Sequence, residues 1–97
     1  MKVYVSIPYT GHEADFPARC DKAHERHDKS GDTIITPRDV IKDSSTPYEI
    51  CMGKCIETLL GCKKAIFADG WADSKGCTLE MNVCQIYGIE WKVDVGI

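Results

Sequence analysis

Short apolar runs rich in β-branched and aromatic residues recur along the chain, separated by longer stretches in which polar residues predominate. Runs of this length, bounded by Gly, Pro or Asp, are typical of buried strands. They predict four strands, at 3–7, 33–35, 64–68 and 91–95.

The stretches between these strands carry apolar residues at helical spacing, which predicts one helix in each. The first helix lies within 13–30, with Pro17 in its first turn, and the second runs from about 47 to 60. The third follows the cap residue Ser74 and ends near Gly88. Strands and helices therefore alternate from one end of the sequence to the other.

This alternation favours a mainly parallel sheet with helices on both faces, because a right-handed crossover between parallel strands needs a helix to cover the sheet. A chain of 97 residues is also the size of one domain. We predict a single α/β domain over 1–97, built as a three-layer α/β/α sandwich. Its sheet has about four parallel strands in the order 2-1-3-4.

Composition limits the classes of partner. The chain is 43% hydrophobic and 28% charged with a net charge of −3, which argues against a nucleic-acid polymer as the ligand. No apolar run approaches the roughly 18 residues of a membrane span, so we expect no membrane partner. The first residues lead directly into a strand and leave no room for a signal peptide, which favours a cytoplasmic protein.

The cysteine content has two interpretations. In a cytoplasm we expect reduced thiols rather than disulfides, and cysteine is often simply a small buried residue. Cys51 and Cys55 lie one helical turn apart, which leaves a thiolate metal site as the alternative, but no paired Cys-x2-Cys motif accompanies them. We predict no metal site. The six cysteines are Cys20, Cys51, Cys55, Cys62, Cys77 and Cys84.

Three loops meet at the carboxyl edge of the predicted sheet: 6–12, 36–46 and 69–76. Ligands of parallel sheets bind in the crevice beyond this edge. The third loop also leads into a helix N-terminus, where free N–H groups and the helix dipole attract an anion. There Ser74 adds a hydroxyl, and Gly76 permits close approach of a ligand to the backbone.

The sequence of the third helix predicts a buried apolar stripe, with Glu80 beside it. Leu79, Val83, Ile86 and Tyr87 recur at helical spacing and form the predicted apolar stripe. Glu80 lies about 100° round the helix from Leu79, and helical side chains lean toward the N-terminus. Its carboxylate is therefore either directed into the crevice or an ordinary solvated group.

Two motifs, in this order, carry a resemblance to a known family. The first is Val3-Tyr4-Val5-Ser6-x-Pro8-x-Thr10-Gly11, and the second is Gly70-Trp71-x-x-Ser74-x-Gly76-Cys77-x-x-Glu80. Together they resemble the nucleoside 2-deoxyribosyltransferase-like superfamily, especially its short bacterial and phage proteins of uncharacterised function. The similarity extends over nearly the whole chain.

The resemblance implies a flavodoxin-like fold and a reaction at a deoxyribose. Glu80 holds the position of the family nucleophile, which attacks the anomeric carbon and forms a glycosyl-enzyme ester. Tyr4 matches a strand tyrosine that orients this carboxylate; its other interpretation is core packing. Ser74 matches the serine with which the branch that hydrolyses deoxynucleoside 5′-monophosphates binds phosphate, although it would also serve as a plain helix cap.

The implied activity is that of an N-glycosidase or deoxyribosyltransferase that needs no cofactor. The partner is a small-molecule nucleoside or nucleotide, and the family habit of completing sites with a neighbouring subunit implies a homo-oligomer. Trp71 and Tyr9 are the side chains expected to contact the base. The expected binding residues are Ser6, Ile7, Pro8, Tyr9, Thr10, Gly11, Asp69, Gly70, Trp71, Ser74, Gly76 and Cys77.

Two positions depart from the family pattern. Ile7 replaces a usual glycine, and Cys55 stands where an aspartate normally helps to protonate the departing base, a task for which a neutral thiol is poorly suited. The carboxylates that would take over this proton donation are Asp69, Asp73 or Glu57. The alternative function is a binding or sensing module that keeps the pocket without turnover, and a domain with no ligand would fill the crevice with its own side chains.

Overall fold

The computed structural model describes residues 1–97 as four strands and four α-helices. Two single turns of 3-10 helix, Asp28–Ser30 and Trp71–Asp73, accompany them. In chain order the elements are β1 (Lys2–Ser6), α1 (Phe16–His27), β2 (Thr33–Ile35), α2 (Pro37–Val40), α3 (Tyr48–Leu60), β3 (Lys64–Ala68), α4 (Lys75–Tyr87) and β4 (Glu90–Asp94).

The four strands form one parallel sheet in the order β2-β1-β3-β4. In its register Tyr4 pairs with Ala65 and Val5 with Ile66. α1 packs on one face of this sheet, and α3 and α4 pack on the other. The predicted three-layer, flavodoxin-like architecture and the strand order are confirmed.

The alternation of side chains along β1 divides the core into two clusters. Val3 and Val5 point toward α1 and join a cluster made mostly of aliphatic side chains. Tyr4 points the other way and packs among residues of α3 and α4. Each face of the sheet therefore has its own buried environment, and only the α3/α4 side receives a buried hydroxyl from this part of the strand.

The predicted element boundaries differ from the structure at three places. β1 and β4 each begin and end one residue earlier than expected, and regular α1 begins only at Phe16 and ends at His27. The short helix α2 was not predicted. A capping box forms it, because the Thr36 side chain accepts the Asp39 N–H while the Asp39 carboxylate accepts the Thr36 N–H.

The predicted apolar stripe of α4 is wrong for three of its four residues. Leu79, Ile86 and Tyr87 are exposed, and only Val83 is buried. Two cysteines, a glutamate and a methionine form most of the buried side of this helix instead. Hydrophobic periodicity could not predict this side, because it treats a glutamate as a surface residue. The buried residues of α4 are Cys77, Glu80, Met81, Val83 and Cys84.

Three further features describe the whole molecule. None of the helices has the length and apolar character needed to cross a membrane. All six cysteine thiols are unpaired. No group of three or more His, Cys, Asp or Glu side chains is placed to hold a metal ion.

Candidate active site

A cavity of about 480 Å³ lies at the carboxyl edge of the sheet, where the chain leaves β1 and β3. β1 leads to β2 on one side, whereas β3 leads to β4 on the other, so this is the switch point at which parallel sheets bind ligands. Its lining residues are Tyr4, Ile7, Tyr9, Thr10, Pro37, Tyr48, Asp73, Ser74, Lys75, Gly76, Cys77 and Glu80.

Glu80 stands in the wall of this cavity and is held by two hydroxyl groups. Its side chain comes from the second turn of α4 and is only 4% exposed. Tyr4 donates a hydrogen bond to Oε2 at 2.7 Å, and Ser6 donates to Oε1 at 2.6 Å. Each carboxylate oxygen has a second lone pair, so both can accept one hydroxyl and remain able to react.

The position of Tyr4 and Ser6 follows from strand geometry. Residues two apart on β1 point to the same face of the sheet, which aims both hydroxyls at α4. Both side chains are fully buried, so neither rotates freely in solvent. The carboxylate is therefore fixed at both oxygens by one rigid strand.

Burial and hydrogen bonding act on Glu80 in opposite directions. Removal from water raises the pKa of the Glu80 carboxyl, and the hydroxyls of Ser6 and Tyr4 lower it because they stabilise the charged form. Burial, together with the nearby Glu80, raises the pKa of Tyr4 well above its usual range. Tyr4 consequently stays protonated and acts as a donor to the carboxylate.

Cys55 lies behind Tyr4 and away from the cavity. It belongs to the buried cluster beneath α3 and α4 and does not line the cavity wall. Burial raises the pKa of its thiol to about 11. This thiol is therefore a packing neighbour of Tyr4 and not a proton donor to a ligand.

The N-terminus of α4 forms one end of the cavity. Ser74 is the N-cap, and its hydroxyl accepts the N–H of Cys77 at 3.3 Å. Lys75, the first residue of α4, lines the same end of the cavity and brings a positive charge to it. A Cβ at Gly76 would lie 3.2 Å from the sulfur of Met52 and 3.5 Å from the Tyr48 hydroxyl, so α3 as well as any ligand requires a small residue there.

Comparison with known protein families identifies the family of this chain. A family model described as a domain of unknown function, DUF4406, matches residues 1–92. The chain belongs to the DUF4406 family. A search of curated proteins found no match. The chemistry of this DUF4406 domain must therefore be argued from its own cavity.

The DUF4406 domain brings together most of the candidate residues named above from its sequence. Those that line the cavity are Tyr4, Ile7, Tyr9, Thr10, Ser74, Gly76, Cys77 and Glu80. Ser6 does not line the cavity itself, but it donates a hydrogen bond to Glu80, which does. Those that do not line it are Pro8, Gly11, Asp69, Gly70 and Trp71.

Two of the residues outside the cavity have clear structural roles. The Trp71 ring packs against Phe67 with centroids 5.6 Å apart and covers the end of the core. Gly70 has a φ of +81°, the left-handed conformation that glycine adopts without strain, and lets the chain turn after β3. The sequence predicted that their loop lies at the crevice, but it did not indicate which side chains of the loop point into the cavity.

The sequence did not single out the side chains of Pro37, Tyr48 and Lys75, all of which line the cavity. Pro37 and Tyr48 come from the 36–48 segment, whose path depends on the unpredicted helix α2. Lys75 follows the cap residue, where the pattern indicates only a free backbone N–H. Only their place in the chain could have indicated them, because all three begin helices at the carboxyl edge of the sheet, where ligands of parallel sheets bind.

A second cavity of about 420 Å³ adjoins the first and shares Tyr9, Pro37 and Tyr48 with it. The two together form a trough that leads from Glu80 toward α1 and α2. Both cavities are open, so the switch point of this domain is not filled by its own side chains. The second cavity is further lined by Glu13, Phe16, Pro17, Arg38, Ile41, Lys42, Asp43, Ser44, Thr46 and Cys51.

Proposed function

We propose that this DUF4406 domain cleaves the N-glycosidic bond of a 2′-deoxynucleoside 5′-monophosphate, as an N-glycosidase or deoxyribosyltransferase. The observation that carries the proposal is Glu80: a nearly buried carboxylate in the wall of a cavity, with each oxygen fixed by a hydroxyl. The resemblance of the two motifs to the nucleoside 2-deoxyribosyltransferase-like superfamily supports the same role.

The proposed reaction has two steps. A Glu80 oxygen attacks the anomeric carbon, and the bond from that carbon to the base nitrogen breaks with its electron pair going to the base, which takes up a proton as it leaves. Water then attacks the resulting ester, releases deoxyribose 5-phosphate and restores the carboxylate. In a transferase a second base takes the place of water.

The phosphate is proposed to bind at the N-terminus of α4. Ser74, the first turn of α4 with its free N–H groups, and Lys75 all lie at the same end of the cavity. Hydroxyl, amide and ammonium donors at a helix N-terminus suit a phosphate dianion, whereas a carboxylate at the cap would repel it. This arrangement favours a monophosphate over a free nucleoside.

The base is proposed to extend from Glu80 toward the second cavity, between Tyr9 and Tyr48. Of the three carboxylates suggested as the acid that protonates it, only Asp73 lines the cavity. Asp69 and Glu57 lie outside the cavity wall. Asp73 is therefore the proposed source of the proton, and reduced thiols and a nucleotide substrate fit a cytoplasmic location.

The direct test is incubation with each of the four deoxynucleoside monophosphates, followed by chromatography for the free base. We expect base release by the wild type and a loss of roughly 10³-fold or more in Glu80→Gln. Glu57→Gln, an exposed glutamate on α3, is the matched control and should keep full activity. Release that survives Glu80→Gln, or a wild type without release, would contradict the glycosidase proposal.

A binding or sensing module is the second candidate, and two observations favour it. Ile7 lines the cavity at a position where the superfamily that the motifs resemble has glycine, and Cys55 offers no acid. This candidate predicts nucleotide binding by calorimetry with no base released on long incubation. Absence of both binding and release excludes both functions.

A further inference from the structure

We propose that Ser6 is a positioning residue that stays bonded to Oε1 of Glu80 throughout the reaction, so that Oε2 is the oxygen that attacks the anomeric carbon. This inference rests on the proposed function and deepens it, because it gives different roles to the two hydroxyls that hold Glu80. The roles follow from the access of each hydroxyl to the cavity and from the chemistry of the ester.

The hydroxyl of Ser6 is committed to one acceptor. It donates to Oε1 of Glu80 at 2.6 Å. The side chain is fully buried and does not line the cavity, so a ligand bound there does not reach it. The thiol of Cys77 lies beside it, but sulfur is only a weak acceptor. Ser6 therefore has no good acceptor other than Oε1.

The hydroxyl of Tyr4 has a choice of acceptors. It donates to Oε2 of Glu80 at 2.7 Å, but Tyr4 also lines the cavity in which the nucleotide is proposed to bind. An oxygen of the ligand, or a water molecule in the cavity, can accept this hydrogen bond once Oε2 no longer does. Tyr4 can exchange its acceptor during the reaction, whereas Ser6 cannot.

The covalent step gives the two oxygens of Glu80 different fates. One oxygen donates a lone pair to the anomeric carbon while the bond from that carbon to the base nitrogen breaks, and it becomes the alkoxy oxygen of the ester. Its remaining electron density is delocalised into the carbonyl group, so it accepts hydrogen bonds poorly. The other oxygen becomes the ester carbonyl and remains a good acceptor.

These fates select the attacking oxygen. If Oε1 attacked, the buried hydroxyl of Ser6 would lose its acceptor, and an unsatisfied buried donor would slow the step by about tenfold or more. If Oε2 attacks, Ser6 keeps its bond to the carbonyl oxygen, and Tyr4 turns to an acceptor in the cavity. Attack through Oε2 leaves no buried donor without an acceptor.

The bond from Ser6 also acts before any substrate binds. Burial raises the pKa of the Glu80 carboxyl, and the hydroxyls of Ser6 and Tyr4 lower it because they stabilise the charged form. Only the ionised carboxylate is a nucleophile, so Ser6 helps to keep Glu80 ready to react at neutral pH. This effect does not require turnover and can be measured in the free protein.

The first test measures the pKa of Glu80 by NMR titration of its side-chain carboxyl carbon, with Glu80→Gln to identify the signal. We expect Ser6→Ala to raise this pKa by about one unit, because the charged form loses a hydrogen bond. Circular dichroism verifies that the variants are folded. An unchanged pKa in folded Ser6→Ala would overturn the anchoring by Ser6, whether or not the protein releases a base.

Thr58→Ala is the matched control for this titration. It also removes a hydroxyl, but one that donates to the backbone carbonyl of Lys54 on α3 and lies outside the cavity wall. The pKa of Glu80 should not change in this variant. A shift equal to that of Ser6→Ala would show a general effect on the fold and would also overturn the proposal.

The second test identifies the attacking oxygen from the ester itself. A 2′-fluoroarabino nucleoside 5′-monophosphate slows breakdown of the ester, because fluorine destabilises the positive charge that develops on the sugar, and the ester accumulates. Infrared spectroscopy of protein containing isotope-labelled glutamate then records the ester carbonyl. A hydrogen bond to this carbonyl lowers its stretching frequency.

The two hydroxyl variants should affect this frequency differently. We expect Ser6→Ala to raise it relative to the wild type and Tyr4→Phe to leave it unchanged. Any other pattern, the reverse above all, would overturn the assignment of Oε2. A wild type that forms no ester while Ser6→Ala still raises the pKa of Glu80 would contradict the proposed reaction, and with it the choice of oxygen, but not the anchoring by Ser6.

Discussion

The two sides of the sheet are built on opposite principles. On the α1 side the buried residues are mostly aliphatic, and the outer surface of α1 is charged and solvated. On the α3/α4 side the core contains a tyrosine, a serine and a glutamate joined by hydrogen bonds, and α4 exposes large apolar side chains, namely Leu79, Ile86 and Tyr87. Polarity is thus inverted between the two sides, both in the core and between the outer surfaces of α1 and α4.

The inversion separates stability from chemistry. An aliphatic core gains free energy from each buried methylene, whereas a buried carboxylate costs free energy even when it is hydrogen-bonded. The α1 side therefore provides the stability that allows the α3/α4 side to hold a buried carboxylate. Four substitutions, from the largest expected effect to the smallest, test this difference.

Ile66→Ala removes a fully enclosed aliphatic side chain from the α1 side. We expect a loss of about 3 kcal/mol in the free energy of unfolding, because the cavity left behind adds to the lost burial. Denaturant titration measures it, with exposed Val95→Ala as the control. Base release by the folded fraction should not change; a loss of activity without a loss of stability would contradict the separation of roles.

Ser74→Asp changes the charge at the cavity while keeping a good helix cap. We expect affinity for a deoxynucleoside 5′-monophosphate to fall by about 2 kcal/mol, or roughly 30-fold, because the new carboxylate repels the phosphate. Affinity for the unphosphorylated nucleoside should stay within a few-fold. Calorimetry with both ligands measures the two affinities. An equal loss of affinity for both ligands would show that Ser74 does not contact the phosphate.

Glu80→Gln should stabilise the fold while it abolishes activity. Because burial raises the folded pKa of this acid, the wild type is most stable below the unfolded pKa of about 4.3 and loses stability as the pH rises through the folded pKa. We expect a gain of roughly 1 kcal/mol at neutral pH that disappears in acid. Thermal unfolding across this range measures it; a variant less stable than the wild type at neutral pH would contradict the inverted polarity.

Asp94→Asn tests the ion pairs that join α1 to β4. The Arg26 guanidinium donates two hydrogen bonds of 2.9 Å to Asp94, and His27 adds one of 2.7 Å. These contacts, led by Arg26, lower the pKa of Asp94 to about 2. Asp94 then stabilises the fold above the unfolded pKa of about 3.9, and this contribution is lost as the pH falls through about 2.

We expect Asp94→Asn to cost about 1 kcal/mol near neutral pH, since partial exposure screens the pairs, and the difference should vanish in acid. Thermal unfolding from neutral to strongly acidic pH is the measurement. Asp15→Asn is the control, because the Asp15 side chain makes no capping hydrogen bond. A constant difference at all pH values would show that the ion pairs are not its source.

The sequence predicted the architecture well because the fold follows from local patterns. β-Branched runs of about five residues indicated the strands, and the alternation with helices indicated the parallel order. Prediction failed for α4, where Leu79 and Ile86 were expected inside and lie outside. Cysteine and glutamate replace the usual aliphatic residues on the buried side, so hydrophobic periodicity selected the wrong side.

The candidate site was predicted in part. Residues alone left Glu80 either inward or solvated, and the structure places it inward and 4% exposed. The partnership of Tyr4 with Glu80 was expected from the resemblance, whereas the hydrogen bond from Ser6 and the cavity positions of Pro37 and Tyr48 were not. The reaction itself, the attacking oxygen and the expected homo-oligomer stay predictions.

By itself the sequence determined the elements, their parallel order and the edge at which function is expected, because periodicity and helix caps act over a few residues. Only the tertiary structure decided which side of α4 is buried, which loop residues line the cavity and what holds Glu80. Those contacts join residues far apart in the chain, 76 positions for Tyr4 and 74 for Ser6. A local sequence pattern cannot predict these contacts, because they form only when β1 and α4 pack together.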